Sequence, residues 1–330
     1  MAHTQKQFEE FHENIRISRS MNETLRDKRD KVLDRIKNHL KSNNLPTFRR
    51  LLQGSYQMKT GTIPLDGQEY DIDVGLRFPV EHDGNELKAS EVRGWVHAAV
   101  DGHTTKVEKK RSCIRVTYSK GFHIDLVCYS VGKAHRKPTQ YQLADKDTGW
   151  RPTEPADLLE YIRQALKEFK HTENNQTQTD QLRRIVRYLR RWNDFQHVTH
   201  GIKRATGLAF VLLACAKLKP VTDSDGTPND LRALRNMVSQ DANRMERISV
   251  KKPTQEYEDL FTGFSDEEMK AFKDAWNDLA DALSKAEIAT DLAIASGHLR
   301  KVFGDDFPVV EKEKPMESRG PAIISSSTSA

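Results

Sequence analysis

Two short runs alternate apolar and polar residues with the period of a β-strand. In YDIDVGL (70–76), Ile72, Val74 and Leu76 fall on one face and Asp71, Asp73 and Gly75 on the other; in FHIDLV (122–127), Ile124 and Leu126 stand opposite Asp125. SCIRVTYS (112–119) adds a further strand signal. The N-terminal segment reads differently. Its apolar residues Phe8, Phe11, Ile15, Leu25, Val32, Leu33, Ile36 and Leu40 recur at helical spacing without Pro or Gly, which predicts one long helix, or a pair broken near Ser18 to Asn22. Pro152 to Pro155 marks a change, and from Asp157 onward the patterns are helical, including LRRIVRYLRRWND (182–194) and ATGLAFVLLACAKL (205–218). The organisation expected is therefore an N-terminal helical segment (1–44), an α/β lobe (45–155), a helical lobe (156–310) and a tail (311–330). The tail's Ser, Pro and charged residues predict disorder.

Composition narrows the class. A chain of 330 residues with 36% hydrophobic content is long enough for two lobes around a cleft. Its longest apolar stretch, GLAFVLLACA, is far shorter than the roughly 20 residues of a membrane span, and no signal peptide opens the chain, so a cytoplasmic protein with no membrane partner is expected. Cys113, Cys128 and Cys215 lie in apolar contexts without zinc spacing and read as reduced thiols. A net charge of +5 suits binding of nucleotide phosphates but does not require a polynucleotide. The cluster KVEKKR (106–111) reads as a charged strand edge that discourages further pairing.

The chemistry lies in the carboxylates. Two neighbouring strands would bring Asp71, Asp73 and Asp125 around one point on an apolar support, a suitable set for two hard divalent cations about 3.5 to 4 Å apart. Upstream stands Gly54-Ser55, followed by Tyr56: a glycine permits close backbone approach, and a serine at a helix start offers its hydroxyl beside free N–H groups, a combination that favours an anionic triphosphate. In the arginine-rich segment, Leu182, Ile185, Val186, Leu189 and Trp192 make an apolar stripe, and the arginines that cover the remainder read as a solvated face. His123 shares a face with Asp125 and reads as a strand histidine rather than a base.

A Gly-Ser, a D-x-D and a later Asp resemble the nucleotidyltransferase superfamily of DNA polymerase beta. The run QGSYQMKTGTIPLDGQEYDIDVGLRFP (53–79), the arginine helix and HLRKVFGDDFPV (298–309), which is similar to an FG-x-x-FP closing element, narrow the resemblance to the bacterial relatives of cyclic GMP-AMP synthase, the CD-NTases of CBASS anti-phage systems. The resemblance implies an α+β fold in which a polymerase-beta-like core sheet and a C-terminal helical bundle are bridged by the N-terminal helix. It also implies Asp71, Asp73 and Asp125 as catalytic residues and ligands of two Mg2+ ions, with Mn2+ as a substitute. Gly54 and Ser55 would contact nucleotide, as would Arg187, which occupies a Lys-Tyr-Leu-like context, with Arg184 and Arg190 as further candidates; Tyr56 beside Ser55 reads either as a ring that stacks on a base or as a packing residue. Two departures stand out. The gap between Ser55 and Asp71 is longer than in the minimal pattern, and Thr206-Gly207 replaces a Ser-Tyr pair, which keeps a hydroxyl at Thr206 but removes a stacking ring.

The activity implied is synthesis of a cyclic oligonucleotide, foremost a cyclic dinucleotide, from ATP and/or GTP, with an effector responding to the product. A ubiquitin-transfer-like (E1/E2) partner acting on the tail through Ala330 is a further expectation of the same resemblance. The alternatives are another nucleotidyltransferase, making linear 2′-5′ oligoadenylate or modifying an RNA end or a small molecule, and a catalytically dead sensor of nucleic acid.

Overall fold

The computed structural model describes residues 2–65, 69–119, 121–131, 141–174, 176–254 and 258–311. The expected disorder from residue 312 onward and the conjugation expected at Ala330 lie outside the described residues.

The two acidic runs form the centre of a seven-stranded sheet. Strand β2 (Tyr70–Phe78) pairs in parallel with β7 (Phe122–Val131), and β1 (Arg49–Leu52) closes the far side of β2. Strands β6 (Ile114–Tyr118) and β5 (Lys106–Lys109) continue beyond the first half of β7, while β8 (Tyr141–Asp145) and β9 (Gly149–Thr153) continue beyond its end. Lys106 and Lys109 of KVEKKR thus lie on an edge strand, with Lys110 just beyond it. A parallel pair needs a crossover. Here it includes a short β3–β4 hairpin (Glu81–His82, Asn85–Glu86), helix α4 (Ala89–Val100) and the β5–β6 hairpin.

One face of the sheet is dry. Ile72, Val74, Leu76, Ile124 and Leu126 are buried against α4 and against α2 (Arg19–Ser42). The N-terminal helix is indeed broken, between α1 (Gln5–Ile15) and α2, where Ser18 caps α2 by accepting a bond from the Met21 N–H at 3.2 Å. The break lets the two helices serve different cores. While α2 packs on the sheet, Phe8, Phe11 and Ile15 of α1 enter the core of the helical lobe. That lobe comprises α5 (Pro155–Lys167), α6 (Gln181–His200), α7 (Gly207–Lys217), α8 (Asp230–Val238), α9 (Asp266–Ile288) and α10 (Leu292–Phe303). The FG-x-x-FP element closes it on α1: the Phe303 ring lies 4.9 Å from Phe11, and the Phe307 ring 5.2 Å from Phe8. No helix among the described residues is long and apolar enough to cross a membrane.

Asp230 is the polar centre of this lobe. It accepts from Arg184 Nε and Nη2 at 2.7 and 2.8 Å, from Gln181 Nε2 at 3.0 Å and from Tyr188 Oη at 2.9 Å, and its own N–H donates to Gln5 Oε1 at 2.9 Å. Burial alone would raise its pKa, but the Arg184 charge and these bonds hold it below the ordinary carboxylate value. Asp230→Ala leaves Arg184 buried without its counter-charge and should destabilise the chain by about 3–5 kcal/mol in chemical denaturation. A loss under about 1 kcal/mol would show that the network is dispensable. Because the folded pKa is depressed, this contribution is present above the unfolded value and is lost as pH falls through the folded one.

Candidate active site

The register of three strands builds the site. In the parallel pairing Asp73 stands beside Asp125 and Asp71 beside His123; in the antiparallel pairing Arg115 of β6 stands on the other side of Asp125. One row across the sheet therefore reads Asp73, Asp125, Arg115. Arg115 grips Asp125 with both arms of its fork, Nε to Oδ1 at 2.8 Å and Nη2 to Oδ2 at 2.7 Å. His123 is a strand residue: Nδ1 lies 3.0 Å from Glu69 Oε2, and Nε2 is buried without a hydrogen-bond partner among the described residues.

Gly54 opens a short helix, α3 (Gly54–Met58), whose backbone presses on Asp73. Its φ is +68°, and a Cβ there would lie 2.2 Å from Asp73 Oδ2, so only glycine fits. Ser55 follows, beside the Tyr70 hydroxyl, which shares a side-chain hydrogen bond with it. Asp73 carries the most perturbed carboxylate of the site. Its pKa is pushed up to about 7, first by burial and then by the charges of Asp71 and Asp125, against a smaller opposing pull from Arg115 and Arg190.

Gly54, Ser55, Asp71 and Asp73, but not Asp125, Arg115 or His123, line a cleft of about 440 Å³ between the sheet and the helices. Gly54, Ser55, Asp71 and Asp73 form the sheet-side wall; Arg190 of α6 and Thr206 at the start of α7 face them, with Leu158, Ile162 and Leu208 supplying an apolar flank. A Cβ at Gly207 would come within 3.1 Å of the Arg190 guanidinium, so the glycine that departs from the Ser-Tyr pattern leaves room for that cation. Thr206 also caps α7, accepting from the Ala209 N–H at 3.3 Å.

Three expectations are corrected. Arg184 is 1% exposed and fully committed to Asp230 and to the carbonyls of Thr172 and Thr179. Arg187 is 8% exposed and donates to the carbonyls of Lys59 and Gly61, away from the cleft. Both guanidiniums are used inside the protein, so of the three candidate arginines only Arg190 lines the cleft. Tyr56 faces α2 instead, its hydroxyl accepting from Arg26 Nε at 3.4 Å and its ring lying 5.6 Å from the Arg29 guanidinium. Arg115 is a site residue that sequence reasoning does not find. The alternation in IRVTY is a usable signal, because it places Arg115 and Thr117 on one strand face, but only the pairing shows that this face meets Asp125.

Among the described residues no three His, Cys, Asp or Glu side chains converge as a ready cation cage. The donors are nonetheless of the right kind: Asp71, Asp73 and Asp125 are hard oxygen ligands, and the raised pKa of Asp73, set first by burial, also reflects the charges of Asp71 and Asp125, a repulsion that a divalent cation would relieve. Asp125 would join such a set by sharing its carboxylate with Arg115.

Comparison with known proteins agrees with this geometry. Residues 46–129 match the family described as cyclic GMP-AMP synthase DncV-like, nucleotidyltransferase domain. A cyclic GMP-AMP synthase of Escherichia albertii is 25% identical over 199 residues, 58% of this chain and 42% of that protein, so the match spans less than half the length of that relative. The fold resembles Vibrio cholerae DncV cyclic AMP-GMP synthase in complex with the linear intermediate 5′ pppA(3′,5′)pG, with a TM-score of 0.69, 18% identity, and 90% and 93% of the two chains covered. It also resembles Escherichia coli DncV in its 3′-deoxy GTP bound form, with a TM-score of 0.68, 15% identity, and 89% and 93% covered. The matched nucleotidyltransferase segment contains the Gly-Ser and all three aspartates, and the fold around it is similar to that of the DncV synthases.

Proposed function

We propose that the chain condenses ATP and/or GTP by nucleotidyl transfer and closes the product into a cyclic oligonucleotide, foremost a cyclic dinucleotide, that serves as a second messenger in anti-phage defence. The observation that carries this reading is the facing of Asp71, Asp73 and Gly54-Ser55 by Arg190 and Thr206 across one cleft. Carboxylates on one wall and a phosphate-binding cation on the other are what transfer from a triphosphate requires. The names of the relatives supply the cyclic product.

In the reaction a ribose 3′- or 2′-hydroxyl attacks the α-phosphorus of a bound NTP, the new P–O bond forms and pyrophosphate leaves. Held by Asp71, Asp73 and Asp125, two Mg2+ ions, or Mn2+, would neutralise the triphosphate and lower the pKa of the attacking hydroxyl. Ser55 offers a hydroxyl and Arg190 a fixed charge to the phosphates, where negative charge grows as pyrophosphate departs. Arg115 holds the Asp125 carboxylate in the row of Asp73, fixing its orientation before substrate arrives. The effector that reads the product and an E1/E2-like partner for the tail are the partners this reading adds.

Incubation with labelled NTPs, phosphatase treatment and chromatography tests the reading, because a cyclic product has no terminal phosphate to remove. Joint replacement Asp71→Asn and Asp73→Asn should keep the fold and reduce product by at least about 100-fold to 1,000-fold, the scale of losing a major transition-state stabiliser. Near-parental turnover in that variant would sink the assignment.

Arg190→Ala should raise the NTP Michaelis constant by about 10-fold to 100-fold, the loss of a charge-assisted hydrogen bond, and flatten its dependence on salt. Unchanged constants at two ionic strengths would remove Arg190 from the phosphate site.

Asp73 also makes a pH signature. Its folded pKa of about 7 lies above the ordinary carboxylate value, so the folded state binds the extra proton, and stability falls as pH rises from about 4 through 7. In chelator, the melting temperature of the wild-type protein should therefore drop relative to Asp73→Asn across that range, and Mg2+ should restore it more at pH 8 than at pH 6. A difference that is flat or of opposite slope contradicts the assignment.

A further inference from the structure

Next to Arg190, α6 carries a ladder of arginines aimed at backbone. Arg183, Arg187 and Arg191 are spaced by four and so rise along one side of the helix. Arg183 Nε donates to Met58 O at 3.1 Å, Arg187 Nη2 to Lys59 O at 2.6 Å, Arg187 Nε to Gly61 O at 3.1 Å, and Arg191 Nη2 to Ile63 O at 2.7 Å. Three guanidiniums thus hold four carbonyls of the short segment 58–63, which leads out of α3.

The segment so held is tied at both ends. Lys59 takes a left-handed conformation with φ of +54° to end α3, and the Thr60 N–H returns to Ser55 O at 3.0 Å. At the other end the Ile63 N–H donates to Ile15 O at 2.8 Å, where α1 stops. The third arm of Arg187, Nη1, lies 2.8 Å from His12 Nε2, and His12 stays neutral to accept it because burial and the Arg187 charge lower its pKa to about 3.

The central rung is a costly one. Among the described residues Arg187 makes no ion pair with a carboxylate, and its partners are carbonyl oxygens and a neutral imidazole. Burying a charge on such terms is unfavourable unless every donor is satisfied. Packing alone would be met by an apolar side chain of similar length. A planar fork that spans two carbonyls and a ring nitrogen does something else: it fixes the distance between α6 and the end of α3. The same two helices carry Arg190 and Ser55, which both line the cleft, so their spacing bears on how these two groups face one another.

We propose that Arg187, flanked by Arg183 and Arg191, is a positioning residue that registers Ser55 against Arg190 so that both meet the same nucleoside triphosphate. This rests on the reading of the cleft as an NTP site. Arg187→Lys keeps the charge and loses the fork. Hydrogen exchange of the amides of residues 56–63, without nucleotide, should become at least about tenfold faster, while the α9 amides keep their protection. Mg-ATP binding by calorimetry should weaken about tenfold, and Ser55→Ala should then cost under about twofold on top, against about tenfold or more in the wild-type background. Leu283→Ala, a truncation within the α9 core, serves as the control: it should lower the melting temperature and leave the full Ser55→Ala effect. Unchanged exchange at 56–63, or an undiminished Ser55→Ala effect in the Arg187→Lys protein, overturns the proposal. If Arg187→Lys does not fold, Arg183→Lys at the more exposed outer rung takes the same two measurements, and the same results support or overturn the proposal. Wild-type protein that binds no NTP overturns the reading of the cleft and the clamp with it, and the exchange result then still decides whether the ladder holds the segment.

Discussion

The parallel pairing of β2 with β7 sets the charge of the molecule's centre, and much else follows from it. It places Asp73 beside Asp125 with Asp71 one step away, on a sheet whose opposite face is dry. Like charges gathered on a low-dielectric support repel, and the rise of the Asp73 pKa to about 7 measures that repulsion together with burial. The surroundings answer it in kind. Arg115 neutralises Asp125 from the neighbouring strand, Gly54 brings backbone rather than side chain against Asp73, and Arg190 approaches from the other lobe. Each of these makes little sense as packing alone. Together they describe a site in which gathered carboxylates are met by neighbouring cations and close backbone.

What the sequence made legible is what depends on local period and on residue chemistry. Alternation identified both acidic strands and their dry faces, helical spacing identified α1 and α2, and glycine before serine marked a close backbone approach, expected toward a ligand and found toward Asp73. Ser18 lay at the edge of the expected break and proves to be the cap of α2. Pairing was out of reach. Nothing in a single strand says which residue will stand across from it, so Arg115 was invisible although its own strand was not.

The arginine helix failed for a different reason. An amphipathic stripe assigns faces by hydrophobicity, and it presumes that charge points to water. In α6 that presumption breaks down: Arg184, Arg187 and Arg191 are all buried, each committed to a different internal acceptor. Long side chains with five donors can leave an apolar interface and end on carbonyls several residues away. Composition cannot separate such a guanidinium from one that waits for phosphate. Only the position of the acceptors does, and these belong to segments distant in sequence.

The consequence for architecture is that the two lobes share polar as well as apolar contacts. A joint made only of packed side chains would let the lobes slide at small cost, because dispersion is not directional. Hydrogen bonds to fixed carbonyls are directional, and four of them from one helix to one short segment leave little freedom in rotation or translation. Next to Arg187 on the same helix, Tyr188 bonds to Phe8 O at 2.9 Å and to Asp230, so α1 is held to α6 as well. The break between α1 and α2 then acquires a physical purpose. One short helix is fastened to the helical core and the next to the sheet, and the segment that leads out of α3 is caught where they meet. A cleft built at such a junction has walls set by bonds that lie outside it, which is the physical ground for the proposal that residues away from the cleft position Ser55 against Arg190.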